Sequence, residues 1–83
     1  MKIRLRYFAS VRESLGRSAE EIETDAPTVG AVRDELIARG GPYATALVRE
    51  RAVRIALDHV MTDEEAPVHE DCEVAFFPPV TGG

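Results

Sequence analysis

Across residues 2–8 charged and apolar side chains alternate, with Ile3, Leu5 and Tyr7 on one face of an extended segment and Lys2, Arg4, Arg6 and Phe8 on the other. This is the period of a half-buried strand, one face against a core and one in water. Such a strand needs neighbours and a covering layer from the rest of the chain. Eighty-three residues supply one domain with a single small core, and too little bulk for a deep catalytic pocket.

The remaining elements follow from punctuation and periodicity. Ser10 is placed to cap a short helical turn over residues 11–15, which Gly16 closes. Residues 19–24 read as a second strand with Ile22 inward and Glu21 and Glu23 outward, opposite Arg4 and Arg6 across a hairpin. Pro27 bars a central strand and Thr28 is a good N-cap, so a helix starts at Val29. In it Val29, Val32 and Leu36 face inward, Ile37 flanks them, and Arg33, Asp34 and Arg39 face water. Gly40, Gly41 and Pro42 end that helix, and residues 43–48 suit another short helical segment. Residues 53–57 and 73–77 read as strands, separated by a polar turn around residues 63–67. The order strand, strand, helix, strand, strand predicts an α+β fold, a mixed sheet with helices on one face. A β-grasp topology, with the last strand beside the first, is preferred over a ferredoxin-like one, which needs a second full helix.

Every Lys and Arg lies at or before Arg54, so the first 54 residues hold ten basic and eight acidic side chains and the last 29 hold none and seven. The acidic half argues against nucleic acid as a partner. It suits a partner with a basic surface, or simply keeps the domain in solution. A 45% hydrophobic and 30% charged composition describes a folded globule rather than a disordered chain. No apolar run reaches the roughly 18 residues of a membrane span, and the start does not lead into a signal-peptide core. A cytoplasmic protein is expected, and the single Cys72 fits a reducing compartment.

Residues 1–77 are thus expected to form the body and residues 78–83 an extended tail, Pro78-Pro79-Val80-Thr81-Gly82-Gly83. The two prolines bias the tail towards polyproline geometry, in which six residues reach roughly 18 Å. Gly82 and Gly83 can thread a narrow slot because they lack a Cβ. If Tyr7 and Phe76 point inward, Phe8 and Phe77 point outward and share an exposed patch at the base of the tail; a bulge folding one back is the alternative. No metal site is expected: His69 and Cys72 lack a second ligand pair, and Asp63, Glu64 and Glu65 lack the alternation of a calcium loop and read as a solvated turn. Cys72 reads as packed or idle, and His59 as a surface or turn residue.

The ending from Glu73 through Phe76-Phe77-Pro78-Pro79-Val80-Thr81-Gly82-Gly83, the start Tyr7-Phe8-Ala9-Ser10-Val11-Arg12-Glu13 and the segment Pro27-Thr28-Val29 resemble, in the same order, the MoaD family. These are the small, ubiquitin-like sulfur-carrier subunits of molybdopterin synthase. One departure is Asp58, where that family usually has Asn. The resemblance implies that Gly83 is the reacting residue, adenylated with ATP by an activating enzyme and converted by a sulfur donor protein into a thiocarboxylate. It implies that Gly82 gives clearance, that Val80 and Thr81 line a tunnel in the large subunit, and that Phe8, Phe77, Met61 and Arg12 meet the partner. The residues themselves leave Arg12 open between meeting a partner and merely decorating its helix. Two small subunits on a dimer of large ones would deliver the two sulfurs of molybdopterin to a cyclic pyranopterin monophosphate, and no cofactor would stay on the carrier. A carrier for thiamin or tRNA thiolation, or a covalent protein modifier, would use the same terminus with other partners.

Overall fold

The alternation at the start folds as a strand. In the computed structural model, which describes residues 1–79, β1 spans Lys2–Tyr7, with Ile3, Leu5 and Tyr7 buried and Lys2, Arg4 and Arg6 exposed. After it come α1 (Ala9–Leu15), β2 (Ala19–Glu23), α2 (Val29–Ala38), α3 (Gly41–Leu47), β3 (Arg54–Leu57), β4 (Val60–Thr62) and β5 (Glu73–Phe77). The strands form one mixed sheet in the order β2-β1-β5-β3-β4. At its centre β1 and β5 run parallel, from Arg4 opposite Glu73 to Tyr7 opposite Phe76. All other pairs are antiparallel. First and last strands side by side are the β-grasp arrangement, and their parallel pairing excludes the ferredoxin-like alternative.

The helices cover one face only. Val11 of α1, Val29, Val32 and Leu36 of α2, and Ala46 and Leu47 of α3 join the inward residues of the sheet in one core. Tyr7 and Phe76 stack in it with ring centroids 6.3 Å apart. Each such large side chain, removed from water, contributes on the order of 2 kcal/mol.

Four local expectations need correcting. Ser10 is not a cap: Phe8 holds the N-cap position, its carbonyl accepting from the Val11 and Arg12 N–H groups, because its own N–H still bonds Phe76 at the end of the β1–β5 ladder. The close at Gly16 is as expected, left-handed and bonded to the Arg12 carbonyl. The hairpin register sets Arg4 opposite Glu21 but Lys2, not Arg6, opposite Glu23, and Arg6 approaches Glu73 at 3.9 Å instead. β4 was hidden from the sequence because Asp58 and His59 make the β3–β4 turn with φ of 49° and 71° and no glycine to mark it.

The fourth correction is Arg33, which is 4% exposed rather than facing water. Its Nε donates to the Leu47 carbonyl at 2.7 Å, Nη2 to those of Val48 at 3.1 Å and Arg51 at 3.3 Å, and Nη1 to Glu64 at 3.2 Å. One guanidinium thus gathers the loop from α3 to β3. Glu64 in turn pairs with Arg49, which also reaches Asp34, so the acidic turn is a structural clasp and not merely solvated. Gly30 lets the clasp close: its N–H donates to the Glu64 carbonyl at 2.8 Å, and a Cβ there would stand 3.0 Å from Glu64 atoms.

A second polar knot joins β1, β2 and α3. The Glu20 carboxylate accepts from Tyr7 at 2.9 Å, Tyr43 at 2.6 Å, and Arg17 and Arg39 at 3.2 Å each. Burial opposes its charge, but the Tyr43, Tyr7 and Arg39 hydrogen bonds outweigh it and hold the carboxyl below its ordinary value. Burial, with the Glu20 bond, drives the Tyr7 phenol far upward.

Two outcomes are expected. Arg33→Ala strands three carbonyls and leaves Glu64 to Arg49 alone, and urea denaturation should show a loss of about 3 kcal/mol. Glu20 has a folded pKa below its unfolded one, so its charge stabilises at neutral pH and that contribution fades as pH falls through the carboxylate range. Glu20→Gln should therefore melt earlier than the parent at neutral pH, by about 1–2 kcal/mol, with the gap narrowing in acid.

Candidate functional site

The site is the outer, helix-free face of the sheet where β5 leads into Pro78. Because Tyr7 and Phe76 are level and both inward, their successors Phe8 and Phe77 both turn outward. Their rings meet edge to face at 85° with centroids 6.4 Å apart. Phe8 is 39% exposed, and the Arg6 guanidinium stands 5.5 Å from its ring centroid. The predicted aromatic pair therefore exists, without a bulge.

Met61 joins it across the sheet. Ala75 of β5 is opposite Ala56 of β3, which is opposite Met61 of β4, so all three share the outer face with Phe77. The two alanines are small and buried, forming a floor between the aromatics and the half-exposed Met61. Arg54, opposite Phe77, and Arg6 edge this floor with positive charge. The sequence reading missed Ala56, Ala75 and Arg54; their signal was the period of two in the last two predicted strands. It also missed Val60, exposed beside Met61.

Arg12 does not join this face. It is exposed on α1, whose Val11 is in the core on the opposite side of the sheet. Pro78 and Pro79 are half-buried at the exit. Pro78 borders a shallow groove of about 200 Å³ with Ser10, Val11, Ser14, Arg51 and Val53. The assignments to Val80, Thr81, Gly82 and Gly83 lie outside the described residues.

Asp58 shows what the departure from Asn does. It sits in the left-handed region, where Asn and Asp are tolerated best. Its Oδ1 accepts the Glu73 N–H at 2.9 Å, and its Oδ2 lies 3.0 Å from His69 Nε2. The first bond is one an amide oxygen also makes. The second oxygen adds a partner that is charged when its imidazole is protonated. The Glu73 N–H, followed by His69, holds the Asp58 carboxyl below its ordinary value. The Glu70 carbonyl on Nδ1, followed by Asp58, raises the His69 pKa. The β3–β4 hairpin carrying Met61 is thereby fastened to the start of β5.

Little here resembles a catalytic centre. Cys72 is fully buried and burial pushes its thiol pKa up, opposite to the shift that activates a nucleophile. The His69 ring is engaged by Asp58 and the Glu70 carbonyl. Among the described residues no group of three or more His, Cys, Asp or Glu side chains is placed to hold a metal, and no helix is long and apolar enough to cross a membrane. What the face offers is exposed apolar surface beside the point where the chain leaves β5.

Fold and face together define a ubiquitin-like β-grasp protein. SAMP1 from Haloferax volcanii superposes with a TM-score of 0.78 at 22% identity, covering both chains in full. Residues 5–83 match the ThiS family, and the chain belongs to it. It is 40% identical over 81 residues to the molybdopterin synthase sulfur carrier subunit of Escherichia coli, covering 98% of this chain and 99% of that one. A chain in the protein–protein complex of subunits 1 and 2 of the molybdopterin-converting factor from Helicobacter pylori has the same fold, with a TM-score of 0.68 at 21% identity over both full lengths.

The Asp58–His69 contact predicts a titration result. In Asp58→Asn the His69 pKa, followed by imidazole NMR shifts, should fall back towards its ordinary value, while the Glu73 amide keeps its hydrogen-bonded shift.

Proposed function

We propose that this chain is the sulfur carrier subunit of a molybdopterin synthase. The observation carrying this reading is the 40% identity, end to end, with a protein of that name. An uncovered apolar face beside the exit to the tail fits a domain that docks and delivers.

In this reading the Gly83 carboxylate attacks the α-phosphorus of ATP on an activating enzyme, pyrophosphate leaves, and an acyl adenylate forms. Sulfide-level sulfur from a donor protein attacks the acyl carbon, the bond to the adenylate oxygen breaks, AMP leaves, and a thiocarboxylate remains. Softer and more nucleophilic than the carboxylate, that sulfur forms a bond to a carbon of the cyclic pyranopterin monophosphate in the large subunit as a carbon–oxygen bond of the precursor breaks, and water then cleaves the thioester to Gly83, restoring the carboxylate. The body contributes orientation, and acid–base groups belong to the partner. Residues 78–83 act as the delivery arm: Pro78 and Pro79 stiffen it, Val80 and Thr81 meet the tunnel, and Gly82 gives clearance. Phe8, Phe77 and Met61 anchor the large subunit. Two carriers on a dimer of large subunits supply two sulfurs, in the cytoplasm, with no cofactor kept on the carrier.

The test is sulfur transfer in a reconstituted system. Deleting Gly83 should abolish product while leaving the melting curve unchanged, and persistent turnover would overturn the assignment. Phe8→Asp and Met61→Asp should also melt normally yet bind the large subunit at least about tenfold more weakly by calorimetry. Isopeptide-linked target proteins in place of a thiocarboxylate would move the chain to the class of protein modifiers.

A further inference from the structure

The sequence has one lysine, Lys2, among ten cationic Lys and Arg side chains. Lys2 opens β1 at the end of the sheet away from the tail, since β1 and β5 run parallel and Tyr7, not Lys2, is level with Phe76. The Met1 ammonium is at that same far end, donating to the Thr24 carbonyl at 3.0 Å with Glu23 at 3.8 Å. Cys72, the one thiol, precedes β5 there and is fully buried. At the tail's origin the cations are guanidiniums: Arg6 over Phe8, Arg54 opposite Phe77, and Arg51 beside Pro78.

The distinction matters to an acyl group. A lysine amine with a pKa near about 10.4 always offers some free base, whereas a guanidinium with a pKa above about 12 offers essentially none. The Ser10 and Ser14 hydroxyls in the groove are weak nucleophiles without an adjacent base. Six residues from Pro78 to Gly83 reach at most about 20 Å, so Arg6, Arg51 and Arg54 fall within the tail's radius. Lys2 lies about 20 Å back along the strand from Phe8, and only a tail reversed flat along the sheet would approach it.

We propose that the fold sorts its nucleophiles, placing both amines at the far pole, burying the thiol and leaving arginines at the exit, so that an activated acyl group at Gly83 has positive charge near its point of departure but, among the described residues there, no amine or thiol to acylate. The inference rests on reading Gly83 as a site of acyl activation. The reaction avoided is aminolysis: a lysine nitrogen attacks the acyl carbon, the bond to the leaving group breaks, the leaving group departs as an anion, and nitrogen releases a proton to buffer. The product is a ring one water lighter than the hydrolysed chain, and useless as a carrier.

The test needs neither ATP nor a partner. The full chain is prepared with a mercaptoethanesulfonate thioester on Gly83 by intein cleavage, incubated at about pH 9 to free a fraction of amine, and followed by intact and tandem mass spectrometry. The parent and Lys2→Arg should give the hydrolysed acid. Arg54→Lys and Arg51→Lys, which conserve charge on exposed positions, should each give at least about tenfold more ring, joined through the new lysine. Thermal melts identify any variant that does not fold, and the other then decides the outcome. Cyclisation of the parent through Lys2 or Met1 at the variants' rate would overturn the proposal, as would a folded lysine variant that gives no ring. Because the thioester is installed chemically, failure of the carrier assignment would appear separately, as absent sulfur transfer beside an intact cyclisation result.

Discussion

The parallel pairing of the first and last strands is the constraint on which the molecule depends. It brings Tyr7 and Phe76 together at the centre of the core and, by the pleat, throws Phe8 and Phe77 out on the other side. One register therefore sets both the stability of the body and the surface beside the tail. A slip by one residue would bury Phe77 and expose Phe76, exchanging core for outer face in a single step.

Irregular parts of the chain are held by charge rather than apolar area. The loop between α3 and β3 has few large apolar side chains, and Arg33 reaches into it from α2 to satisfy carbonyls that would otherwise be buried without donors. Glu64 supplies the compensating charge from the far side of the sheet connection and shares it with Arg49. The Glu20 knot does similar work between β2 and α3, tying two tyrosines and two arginines to one carboxylate. In a domain this small such polar fastenings replace a second core.

Much of the fold was legible because it follows two periods. The alternation in residues 2–8 and 73–77 and the spacing of Val29, Val32 and Leu36 gave strands and helix where they are found, and Thr28 caps α2 through the Ala31 N–H as its side chain suggests. What escaped were features without a local signature. β4 is three residues long and follows a turn without glycine; Arg33 falls on the polar side of its helix by pattern, and only the tertiary arrangement of the next loop pulls it in. At the site, Phe8 and Phe77 were legible as outward residues and Met61 only through the family resemblance, whereas the alanine floor between them became meaningful only once three strands were aligned. Arg12 stood near the aromatics in sequence, but the turn after Phe8 carries it to the other side of the sheet.

The position of β5 also bears on how the molecule responds to being pulled. Its carboxyl end leads into the tail, yet β5 is the middle strand, bonded to β1 on one flank and β3 on the other. A tug along the tail loads both ladders in shear, so many hydrogen bonds must yield together rather than peel away one at a time. An unfolding machine pulling on the chain beyond β5 therefore meets two ladders at once, and the load falls on the centre of the sheet rather than on its edge.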